Sequence, residues 1–108
     1  MPTTADPFVV FVAEAAQRFG ISATWIRVVM RAESFGEVRA VSPKGAMGLM
    51  QIMPETWPRL RVRCGLGADP DEPRDNILAA AAYLHAARPL WRARISGRLQ
   101  CRSNALRG

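Results

Sequence analysis

Glu33 follows Ile26, Val29 and Met30 at helical spacing, so a carboxylate falls in the middle of an apolar stripe on one helix face. Desolvation on such a face raises a carboxyl pKa and keeps a proton available near neutral pH, which is what a general acid requires. The plainer alternative is a helix-end glutamate paired with Arg27, Arg31 or Lys44, and the helical pattern taken alone favours it. Glu37 is the other nearby carboxylate in sequence, and its place beyond the helix-breaking Gly36 reads as solvated. Cys64 and Cys101 match no metal or redox spacing, so two unrelated thiols, no metal site and no cofactor are expected.

The elements that must hold Glu33 are helical. Asp6-Pro7 reads as a cap and first turn, and Phe8, Phe11, Val12 and Ala15 recur at three to four residues, which predicts a helix over 7–19 ended by Gly20. Ser22 caps the helix carrying Glu33, and Gly36 ends it. Ser42-Pro43-Lys44-Gly45 is a turn by composition. Residues 46–53 fit a short buried helix or a strand on periodicity alone, and helix is the reading chosen because every neighbour is helical. Pro54 and Glu55 begin another helical turn, which Pro58 should kink or shorten. After a loop over 65–73, Asp75 caps an alanine-rich helix with Ile77, Leu78, Ala81 and Leu84 on or near one face. No convincing strand is present, so the expected class is all-α.

The motifs sharpen this reading. Glu33-Ser34, followed by A-V-S-P-K-G-A-M-G-L-M-Q-I-M-P-E-T-W over 40–57, resembles the signature of the soluble lytic transglycosylase family, which cleaves peptidoglycan. Asp75-Asn76-Ile77 followed by Ala80 to Leu84 is similar to that family's later D-x-x-x-N-I-x-x-G-x-x-Y-L helix. The resemblance runs from Ser22 to Leu84 in unbroken motif order and is strongest to conjugation-associated and symbiont-type members. It implies a lysozyme-like helical domain in which Glu33 is the catalytic glutamate and Ser42, Met50 and Gln51 line the glycan cleft. A serine hydroxyl and a glutamine amide can bond sugar hydroxyls and N-acetyl groups, and a thioether gives a soft apolar wall. Ser42 as a turn former, Met50 as core filler and Gln51 as a solvated polar residue remain the ordinary alternatives. Met47 and Met53 read as core, and Gly45 and Gly48 as backbone requirements of a tight turn and close packing.

Charge divides the chain. Residues 1–84 carry nine basic and nine acidic residues, while 85–108 carry six arginines and no acidic residue, so the net charge of +6 belongs to the tail. A basic cluster without a motif is weak ground for nucleic acid, which is not expected as a partner. The family's A-A-Y-N-A-G-P segment, whose tyrosine closes the site beside the glutamate, is missing from the tail. Codons compatible with residues 95–107 read F-L-A-A-Y-N-A-G-P-T-R-Y-E in a shifted frame. A frameshift near Leu84 is therefore inferred, leaving a partial catalytic domain over 7–87, incomplete at its C-terminus, and an arginine-rich tail over 88–108 that is disordered or out of frame.

The resulting expectation is a peptidoglycan lytic transglycosylase that cleaves the MurNAc-β-1,4-GlcNAc bond to leave 1,6-anhydroMurNAc ends, with the chain as written poorly stable and nearly inactive. An inactive peptidoglycan-binding or vestigial protein is the alternative. The expected partners are peptidoglycan glycan strands and a conjugation or secretion apparatus. No apolar run approaches the roughly 20 residues of a membrane span. The N-terminus shows no signal peptide, although the resemblance implies the periplasm or cell envelope.

Overall fold

The computed structural model describes residues 6–87. The arginine-rich tail over 88–108 lies outside the described residues. Four helices, α1 (Val9–Phe19), α2 (Ala23–Ser34), α3 (Trp57–Cys64) and α4 (Pro73–Ala86), account for all regular structure among the described residues. None of them is long and apolar enough to cross a membrane.

Helix α4 forms the middle of the domain. Ile77, Leu78, Ala79 and Ala81 are fully buried, and the run of small alanines allows α1 and α3 to pack closely against it. Helix α1 also packs on α2, and Val12, Ala15, Ile26, Val29 and Leu49 complete one continuous core. Burying each large aliphatic side chain contributes about 1.5–3 kcal/mol relative to its exposed state.

Local chemistry sets the helix ends. Asp6 accepts from the Phe8 N–H at 2.9 Å at the entry to α1, and Gly20 takes the left-handed conformation at its end, φ 64°. Ser22 caps α2, its Oγ accepting from the Trp25 N–H at 3.1 Å. That helix ends at Ser34, two residues before Gly36, because Phe35 itself adopts φ 61°, ψ 27° and donates its N–H to the Met30 and Arg31 carbonyls. A side chain in this region costs about 1–2 kcal/mol that glycine avoids.

Two further expectations need correction in this part of the chain. The helix expected from Pro54 begins only at Trp57, and Pro58 is its second residue, where no helical partner for its missing N–H is needed. Glu72, not Asp75, caps α4: its side chain accepts from the Asp75 N–H at 3.2 Å, and Pro73 opens the helix. Asp75 is left to accept from the Gly67 N–H at 3.0 Å, which holds the preceding loop against the helix.

A bidentate pair joins the helices that are farthest apart in sequence. Arg74 donates to both carboxylate oxygens of Glu14, at 3.0 and 2.7 Å. The Arg74 hydrogen bonds hold the Glu14 carboxyl below its ordinary value, and Glu14 in turn raises Arg74. A depressed folded-state pKa stabilises the fold above the unfolded value of about 4.3 and ceases to do so as pH falls through the folded value. Thermal melts between about pH 5 and pH 2 should therefore lose less stability with acidification in Glu14→Gln than in the unsubstituted chain. Parallel curves for the two would remove this pair from the acid response.

Candidate functional site

The segment read as a helix over 46–53 is not helical. Met47 pairs antiparallel with both Val41 and Ile52, and the Met47 and Ile52 backbones exchange hydrogen bonds at 2.9 and 3.0 Å around a tight turn. Positive φ at Gly45, Gly48 and Gln51 (91°, 74° and 53°) is incompatible with a continuing right-handed helix.

Asn76 on α4 pins this turn. Fully buried, it accepts from the Met50 N–H at 2.7 Å and donates to the Met47 and Pro70 carbonyls at 3.0 and 2.7 Å. In the sequence Asn76 stands only as part of a motif, and the signal for this role is an amide opening the buried run Ile77 to Ala81. Gly48 passes so close to this amide that a Cβ would lie 2.3 Å from Asn76 Nδ2. Gly48→Ala should destabilise the domain by about 2–5 kcal/mol, combining left-handed strain with overpacking. The melting temperature should fall by at least about 10 °C in a domain of this size. Gly20→Ala, with φ 64° but no atom within 4 Å of the new Cβ, should cost less. Equal melts for both variants would contradict the role given to Asn76.

The turn carries three of the candidate residues to the end of α2. Glu33, Ser42, Met50 and Gln51 all line one cleft of about 290 Å³, whose opposite wall includes Ala80, Tyr83 and Leu84 of α4. Glu33, Ser42 and Gln51 also border a wider groove on the outer side, with Phe35, Glu37 and Val41. Tyr83 was not singled out from the sequence as a cleft residue, although its i, i+3, i+4 relation to Ala80 and Leu84 puts the three on one face.

Backbone bonds fix what two of these polar groups can offer. Ser42 Oγ accepts from the Lys44 and Ala46 N–H groups at 3.2 and 3.0 Å, so its remaining capacity is chiefly the hydroxyl proton. Gln51 donates from Nε2 to the Ala40 and Gly48 carbonyls at 3.0 and 2.9 Å, which leaves Oε1 as an acceptor. The cleft thus offers a hydroxyl donor and an amide acceptor, a narrower chemistry than either residue type allows. Met50, 5% exposed, belongs to the core and to the cleft wall at once.

Glu33 is exposed, in the last turn of α2 beyond the buried Ile26, Val29 and Met30. Among the described residues there is no cluster of three His, Cys, Asp or Glu side chains suited to a metal ion.

The sequence model of the Transglycosylase SLT domain matches residues 11–92. The chain is 38% identical over 86 residues to the membrane-bound lytic murein transglycosylase C of Haemophilus ducreyi, an alignment covering 74% of this chain and 23% of the relative. A shorter stretch of 44 residues, 40% of this chain and 18% of the relative, is 52% identical to the probable transglycosylase IsaA of Staphylococcus aureus. The X-ray structure of an inactive mutant of the lytic transglycosylase Slt from Pseudomonas aeruginosa superposes with a TM-score of 0.67 at 30% identity, covering 75% of this chain and 14% of that one. The chain spans about a quarter or less of these relatives' lengths. With four helices, no strands among the described residues and this structural neighbour, the domain is all-α and lysozyme-like. The chain belongs to the transglycosylase SLT domain family.

Proposed function

We propose that the cleft binds a glycan strand of peptidoglycan and that Glu33 carries out lytic transglycosylation, with Ser42, Met50 and Gln51 as substrate-binding residues. The observation that carries this reading is the convergence of a carboxyl, a hydroxyl donor and an amide acceptor from separate segments on one cleft. An N-acetyl amide, which has both an N–H and a carbonyl, suits that donor and acceptor set.

In the reaction, Glu33 first protonates the oxygen linking N-acetylmuramic acid to the next sugar, and that bond breaks. The resulting carboxylate then takes the proton of the muramic acid's C6 hydroxyl as its oxygen bonds to C1. The product is a 1,6-anhydro sugar, the leaving sugar keeps the first proton, and no water is consumed. One carboxylate suffices, whereas ordinary glycosidases use two. Glu37, exposed on the groove beyond Gly36, is the residue that a two-carboxylate hydrolase would have to recruit.

We assign residues 7–87 to a partial catalytic domain whose closing segment was lost by a frame change near Leu84. The sequence of the gene across codons 80–108 tests this directly. The family's chemistry supports the cell envelope as the working location, and the similarity of the 40–57 motif to conjugation-associated members supports a conjugation or secretion apparatus as a partner.

A second reading, binding without turnover, is favoured by the exposure of Glu33, since water around a carboxyl weakens it as an acid. Purified insoluble peptidoglycan separates the two. The 108-residue chain should be retained on it and release almost no soluble fragments, while a frame-restored chain should be retained and release them. Absence of retention for both would overturn the assignment.

A further inference from the structure

Phe35 is 81% exposed, the most exposed large apolar side chain among those described. It also occupies the left-handed end of α2 at φ 61°, a position that favours glycine. Both features work against the folded state, so neither helix termination nor core packing accounts for a phenylalanine here. Unfavourable local conformation retained on a surface points to a use for the side chain.

Its place suggests that use. Phe35 is two residues beyond Glu33 and borders the outer groove that contains Glu33, Ser42 and Gln51. It borders a second groove as well, beside Thr24, Arg27 and Val28, and therefore stands as a ridge between them. The Arg31 guanidinium lies 5.7 Å from the ring centroid, a contact that restrains the ring while leaving it open to solvent. Val41, 69% exposed, is the other large apolar side chain on the outer groove.

We propose that Phe35 is a stacking platform for one pyranose ring of the glycan strand, in the outer groove adjoining Glu33. This rests on the reading of the cleft as a glycan site. A β-linked amino sugar carries axial C–H groups whose partial positive charge suits the negative face of an aromatic ring. The groove's borders set the polar Glu33, Ser42 and Gln51 beside the apolar Ala40, Val41 and Pro43, so partners for a sugar's hydroxyls and amide lie next to apolar surface that suits its C–H face.

The test uses the full 108-residue chain, a β-1,4-linked N-acetylglucosamine tetramer as probe, and affinity measured by NMR titration beside thermal unfolding and sedimentation. Phe35→Gly should melt at the same or a higher temperature yet bind the tetramer about three- to tenfold more weakly. Phe35→Trp should retain binding. Wild-type affinity in Phe35→Gly would overturn the platform while leaving the glycan reading intact. Failure of the unsubstituted chain to bind any tetramer would overturn both. A shift from dimer to monomer in Phe35→Gly, with binding unchanged, would make the ridge a self-association surface instead.

Discussion

Glu33→Gln in a frame-restored chain is expected to abolish release of soluble muropeptides, lowering the rate by at least about 10²–10⁴-fold, the usual contribution of a positioned acid or base. The amide is close to the carboxyl in size, so it occupies the same place in the cleft. It cannot protonate the glycosidic oxygen, and it cannot accept the C6 hydroxyl proton, so both halves of the proposed cycle fail together. Release assayed by soluble sugar ends, with the melting temperature recorded alongside, separates lost chemistry from lost fold. Retained activity would remove Glu33 from its role.

A chain carrying the alternative frame after Leu84 that the proposed frame change implies should show the second large effect, a gain of at least about a hundredfold in release over the 108-residue chain. The physical ground is the state of the cleft. Glu33 is exposed, and Tyr83 on the opposite wall remains 43% exposed. A segment laid over this side would exclude water from the carboxyl and strengthen its interactions with the substrate. It would also cover apolar surface worth about 25 cal/mol per Å², so the restored chain should melt at a higher temperature. Equal turnover by the two chains would show that 88–108 already completes the site.

Much of this arrangement could be read from the residues. Ser22 as a cap, the buried face of Ile26, Val29 and Met30, and the loop before α4 all follow from local chemistry and period, and the structure has them. The turn over 46–53 was misread because a short apolar run has no decisive period, and only tertiary contacts specify it. Its geometry depends on Gln51 at φ 53° and on hydrogen bonds from Asn76, twenty-six residues away from Met50. Ser42 and Gln51 are narrowed to one donor and one acceptor by bonds two to eleven residues away, which exist only once the turn has taken its path. Aspartate is a favoured capping residue, which points to Asp75, but the helix begins two residues earlier at Pro73, so Glu72 holds the capping position and accepts from the N–H of Asp75 itself. The exposure of Glu33 follows less from its helical stripe, which tells only which face a residue shares, than from the missing A-A-Y-N-A-G-P segment.

The origin of the new bond at C1 tests the central claim most directly. A frame-restored chain digesting purified peptidoglycan in water enriched in heavy oxygen should yield 1,6-anhydromuropeptides that contain no heavy oxygen at the muramic acid C1, since the attacking oxygen is the sugar's own C6 hydroxyl. Reducing-end muropeptides labelled at C1 as the main product would mean that water is the nucleophile, and would contradict a single-glutamate lytic mechanism in favour of hydrolysis.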